Sequence, residues 1–140
     1  MKTLLTLLLG LGIFLSPKVN VAQTSDYKVV FDLTSKDSST HQMVIRWLKG
    51  ISKSDPKARL EVVFYGKSLE MITKDRSVAA SDVTELAKNP NISFQVCEVA
   101  MDVHQIPKHR LLPGVLTVPD GIRQIAQRQK EGWAYIKVTQ

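Results

Sequence analysis

The sequence has a single cysteine, Cys97, so no disulfide can form within the chain. A small exported domain that relied on disulfides would carry an even set. The fold must therefore hold through its core, and Cys97 is left as a buried apolar filler, a reactive thiol or half of an intermolecular bridge. Low-complexity tracts and internal repeats are also absent, which excludes solenoids and collagen-like arrays. Glycine is sparse, and the polar segment TSKDSST at 34–40 contains none, so it is no glycine-rich phosphate loop. GxGxxG, HExxH and a Ser-centred nucleophile elbow are missing, and no cofactor is implied. The longest uncharged apolar run, Thr3 to Leu15, falls short of the roughly 20 residues that a membrane-spanning helix needs.

That run has the form of an export signal. Lys2 supplies the positive start, Pro17 breaks the run, and VNVAQ offers cleavage after Ala22. Cysteine is absent from the cleavage point, which excludes a lipoprotein anchor. The expectation is a signal peptide over residues 1–22, one domain over 23–140, a periplasmic or secreted location and no stable membrane anchor after cleavage. Formal charge then falls from +6 to +4, because only Lys2 and Lys18 are lost. The remaining basic residues form no run and no aromatic-interleaved stripe, so nucleic acid is not an expected partner.

The pattern of the mature part alternates strand and helix. Strands are predicted at Lys28–Leu33, Leu60–Tyr65, Ile92–Cys97, Val115–Val118 and Trp133–Val138. A helix starting near His41, capped by Ser38, Ser39 or Thr40, ends at Asp55-Pro56. Leu69, Met71 and Ile72 suggest a helical turn, and Ala79–Lys88 a second helix. Glu98–His104 reads as a short helix or a loop. Pro119-Asp120 opens a last helix that runs to Glu131 and stops at Gly132. Such alternation predicts an α/β domain with a mostly parallel sheet covered by helices on both faces. Ligands bind such sheets at the carboxyl ends of strands, which is where Cys97 stands.

One stretch is more specific: LLPGVLTVPDGIRQIAQRQKEGWAYIK, from Leu111 to Lys137. With VVFYGKSLEM at Val62–Met71 and FQVC at Phe94–Cys97, it resembles the DsrE/DsrF-like family, in particular its small single-domain exported members. The chain departs from that family's pattern at Gly50, Tyr65, Val99 and His104-Gln105. The resemblance implies a three-layer, flavodoxin-like (DsrE-like) domain that assembles into a homo-oligomer, a trimer or hexamer. It also implies a persulfide carried on the strand-end cysteine, with a sulfur donor or acceptor protein as partner.

Cys97 is thus the candidate catalytic residue. A thiolate is the nucleophile, and a helix N-terminus after the strand would stabilise it, as would His104 or His109 if either folds back. Glu98 opposes this if its charge shares the site. His41, His104 and His109 do not have the spacing of a compact metal-ligand set, so no metal is expected. Asp32, Thr34, Ser35, Asp37 and Ser38 are accounted for by turns and helix capping. Trp47, Trp133 and Tyr135 read as core or subunit-interface residues. Two readings stay open: a sulfur carrier or sulfurtransferase-related protein using Cys97, and a non-enzymatic oligomeric module that binds a small ligand or a protein, with Cys97 structural.

Overall fold

The computed structural model describes residues 27–139. The expected signal peptide and its cleavage after Ala22 lie outside the described residues. Among those described, no helix is long and apolar enough to cross a membrane. Five strands form one sheet: β1 (Lys28–Leu33), β2 (Arg59–Phe64), β3 (Ile92–Cys97), β4 (Val115–Val118) and β5 (Ala134–Val138). Four helices connect them: α1 (Ser38–Ser54), α2 (Ala80–Leu86), α3 (Glu98–Val103) and α4 (Gly121–Lys130). Short 3-10 turns add Ser68–Ile72 and Lys108–Arg110. The sheet is entirely parallel, in the order β4-β3-β2-β1-β5.

Several boundaries move by a residue or more. β2 and β5 begin and end where their ladders do, so Tyr65 and Trp133 fall just outside them. α1 starts earlier than expected, because Asp37 rather than Ser38, Ser39 or Thr40 is its cap: the Asp37 carboxylate accepts from the Ser39 N–H at 2.9 Å. A carboxylate at that position also meets the positive end of the helix. Glu98–Val103 is a helix, and Asp120 caps α4 by accepting from the Ile122 and Arg123 amides.

The two faces of the sheet differ in cover. On one face Val29, Phe31 and Leu33 line up with Leu60, Val62 and Phe64 and with Ile92, Phe94 and Val96, under α1, α2 and α3. Phe31, Phe64 and Phe94 are fully buried there, and each such side chain contributes about 1.5–3 kcal/mol relative to exposure. The other face alternates apolar and polar residues: Val30, Asp32, Glu61, Val63, Ser93, Gln95 and Cys97. Among the described residues a single helix, α4, packs on it through Ile125 against Val30 and Val63. Chain direction explains this. The connections β1–β2, β2–β3 and β3–β4 step along the sheet and leave their helices on one face. Only the return from β4 to β5, across the whole sheet, lays a helix on the other.

Candidate functional site

Because β3 is followed by α3 on the broad-core face and its neighbour β4 by α4 on the opposite face, the chain leaves two adjacent strands in opposite directions. A crevice must open between their carboxyl ends. Cys97 closes β3 at that point. The crevice is a cleft of about 360 Å³ lined by Tyr65, Gly66, Cys97, Val103, His104 and Ile122, with Asp120 as its one carboxylate. Gly121 lets α4 begin this close to the thiol. A Cβ at Gly121 would lie 3.1 Å from the Cys97 Cβ and 3.2 Å from Val63 Cγ1, so these buried neighbours would have to shift by a few tenths of an ångström to admit it.

Cys97 is a free thiol, 6% exposed, and it occupies the cap position at the start of α3 with extended backbone. The neighbouring Glu98 does not share its cleft. The Glu98 carboxylate pairs with Lys108 Nζ at 2.8 Å and accepts from Thr117 Oγ1 at 2.7 Å, and it lines a separate shallow cavity with Met101 and Lys108. Those two bonds, Lys108 first, hold its carboxyl below the ordinary range, so its charge is fixed but directed away from the sulfur.

The histidines separate. His104, at the end of α3, is exposed and lines the cleft with Cys97. His109 sits in the 3-10 turn Lys108–Arg110, where its carbonyl accepts from Lys74 Nζ. His41 is buried in the first turn of α1, its Nε2 donating to the Ser35 carbonyl at 2.8 Å. Among the described residues no group of three or more His, Cys, Asp and Glu could hold a metal ion.

A polar cluster beside the cleft was not visible as such in the sequence. Asp32, 5% exposed, accepts from the Tyr135 hydroxyl at 2.7 Å and from Lys137 Nζ at 2.9 Å. Lys137 also reaches Thr34 Oγ1 at 3.2 Å and lies over the Tyr65 ring. Burial first, then the Asp32 carboxylate, push the Tyr65 hydroxyl well above its ordinary pKa. Asp32 is therefore a hub between β1 and β5 rather than a turn residue. The available signal was periodicity: Tyr135 and Lys137 share one face of the last strand, and the register puts Lys137 opposite Asp32. Trp133 is not free apolar surface either, because Arg128 and Arg59 lie over its ring at 4.7 and 5.4 Å.

No protein-family model and no curated protein matches the chain. Solved structures do. The chain is similar to MTH1491 from Methanobacterium thermoautotrophicum, a protein of unknown function, at 32% identity and a TM-score of 0.75, over 80% of this chain and 99% of that one. BT1422 from Bacteroides thetaiotaomicron, a conserved protein of unknown function, matches at 12% identity and a TM-score of 0.68, over 83% of this chain and 98% of its own. YchN from E. coli matches at 12% identity and a TM-score of 0.66, over 79% and 97%. The fold is of the YchN/DsrE-like type.

Proposed function

The chain belongs to the same family as MTH1491, and from that premise we propose that it is an exported persulfide carrier of the DsrE/DsrF group, with Cys97 bearing the sulfur. One observation carries the reading: the only cysteine lies in the wall of the cleft between the strand ends, with the Glu98 carboxylate tied away from it and the Asp120 carboxylate, which lines the same cleft, engaged by the Ile122 and Arg123 amides. The chemistry is a sulfane transfer. The Cys97 thiolate attacks the outer sulfur of a donor persulfide, R–S–SH. A new S–S bond forms at Sγ, the donor S–S bond breaks, and its electron pair leaves on R–S⁻. A thiolate acceptor then attacks the outer sulfur of the Cys97 persulfide and regenerates the Cys97 thiolate. Val99, Val103 and Ile122 make the mouth apolar, and His104 lines the same cleft as the thiol.

The experiment is mass spectrometry of the mature protein after exposure to polysulfide. A mass gain of one sulfur atom on Cys97, lost in Cys97→Ser with fold intact, is the expected result. The low exposure of the thiol favours the second reading, an oligomeric binding module with a structural cysteine. A Cys97 that resists both polysulfide and alkylation in the folded state would establish that reading and end the first.

A further inference from the structure

A second cavity, of about 240 Å³, adjoins the Cys97 cleft and shares Gly66 and His104 with it. Its character is opposite. The Cys97 cleft is rimmed by Val99, Val103 and Ile122, whereas the second cavity is lined by Lys36, Lys67 and Arg76, with Glu70 as its one carboxylate. The three cations come from three separate segments. Lys36 follows β1, Lys67 follows β2, and Arg76 stands in the turn before α2. Backbone bonds join the first two segments, the Tyr65 amide donating to the Leu33 carbonyl and the Lys67 amide to the Thr34 carbonyl, while a local turn in which the Arg76 and Ser77 amides donate to the Thr73 carbonyl holds the Arg76 segment, which meets them in the cavity wall. Gly66, at φ +61°, makes the sharp exit from β2 that sets Lys67 beside the β1 exit. Among the described residues Lys36, Lys67 and Arg76 have no side-chain hydrogen bond or ion pair, unlike Lys49, Lys88, Lys108 and Arg110, which pair with carboxylates. Glu70 can neutralise one cation at most, so the cavity keeps a net positive charge.

We propose that this basic cavity is an oxyanion subsite continuous with the Cys97 cleft, and that the sulfur compound handled there is a small organic anion. Its sulfur-bearing, apolar part lies over Cys97, and its carboxylate or sulfonate lies among Lys36, Lys67 and Arg76. The two cavities together have the size of a small-molecule site, with an apolar part and a few converging polar groups. Gly66 and His104 form the shared wall along which such a ligand runs. The proposal deepens the persulfide reading and rests on it for the chemistry at sulfur, but the anion subsite can be tested apart from it.

Two aromatic disulfides of similar size provide the test: dithiobis(nitrobenzoate), which carries two carboxylates, and dithiodipyridine, which is neutral. The rate at which each modifies Cys97 is measured in the full mature protein and in a Lys36→Gln/Lys67→Gln/Arg76→Gln variant, with circular dichroism to confirm the fold. The expected result is that the ratio of anionic to neutral rates falls by about tenfold or more in the variant, since each exposed cation contributes about two- to fivefold. Added salt lowers the ratio in the wild type only. An unchanged ratio overturns the subsite and leaves the persulfide reading standing. If neither reagent reacts, the persulfide reading falls, and titration with succinate, followed by amide shifts at Gly66, Lys67 and His104, judges the subsite alone. Saturable shifts lost in the variant uphold it, and their absence overturns it.

Discussion

Tyr135 gives up its hydroxyl proton only against the charge it serves. Its hydrogen bond to Asp32, then partial burial and the negative charge of that carboxylate, push its pKa up to about 12, against an ordinary value of about 10. A group whose pKa is higher in the folded state stabilises the fold fully below its unfolded value and loses that contribution as pH rises through its folded one. Tyr135→Phe should therefore be less stable than the wild type at neutral pH, with the difference closing between about pH 10 and pH 12. Phenolate absorbance provides the direct check: the transition near pH 12 disappears in Tyr135→Phe and moves to lower pH in Asp32→Asn. An Asp32→Asn protein whose Tyr135 titrates as in the wild type would remove Asp32 from its role as hub.

At the scale of elements, α4 is tied to the sheet by one buried carboxylate as well as by the Ile125 contact. Glu61 is fully buried in β2. It accepts from Arg128 Nη2 at 2.6 Å and Nε at 3.0 Å, from Gln124 Nε2 at 2.7 Å and from Ser93 Oγ at 3.1 Å. The ion pair with Glu61 first, then that with Glu131, raises the Arg128 pKa despite its partial burial. Removing one partner of a buried pair costs about 3–5 kcal/mol, and the two remaining donors place Arg128→Met at the low end, about 3 kcal/mol. Denaturant unfolding should show that loss. The Glu61→Gln/Arg128→Met double variant should lose less than the sum of the singles, because no unpaired buried charge remains. Additive losses would mean that the pair is not the clamp. This element also marks how far the sequence could be read. The three central strands were legible because parallel strands buried on both faces appear as short apolar runs such as VVF at Val29–Phe31 and again at Val62–Phe64, and the more exposed β4 and β5 were legible from their β-branched and aromatic residues between turn signals. The strand-end position of Cys97 was legible for the same reason. Asp37 was legible as a turn or capping residue but not as the one cap of α1, because four polar residues in succession offered equivalent oxygens. Glu61, Asp32 and the trio Lys36, Lys67 and Arg76 were not legible, because their meaning depends on which strands become neighbours. Register and strand order bring Asp32 to Lys137, and the exits of β1 and β2 bring Lys36 to Lys67, across separations that no local pattern encodes.

For the molecule as a whole, the unequal cover of the sheet has a consequence. Three helices bury one face, while α4 alone leaves the margin of the other open at β4, where Leu116 is 55% exposed. Val99 and Val103 on α3 and Ile122 on α4 are exposed around the adjoining cleft mouth, Val103 at 73%. Val99, Val103 and Ile122, which share the lining of that cleft, form an apolar patch on which a partner can dock. The expected association surface in the last strand is less apolar than its sequence implied, since Trp133 is covered by two arginines and Tyr135 is bonded to Asp32. The surface expected to take up a second copy is instead the α3–α4 margin at the cleft mouth. A ring of three requires a heterologous contact, in which this margin meets a different surface of the next copy. The expected state is a trimer or hexamer, and light scattering at micromolar concentration reads it directly. Val103→Asp with Ile122→Asp should shift the protein to monomer with little change in the melting of each subunit's core, because both side chains already face solvent. The same change should raise the rate at which a neutral disulfide reaches Cys97, as the mouth opens. A monomeric wild-type protein, or an aspartate pair that leaves the assembly intact, would move the association surface elsewhere or remove it.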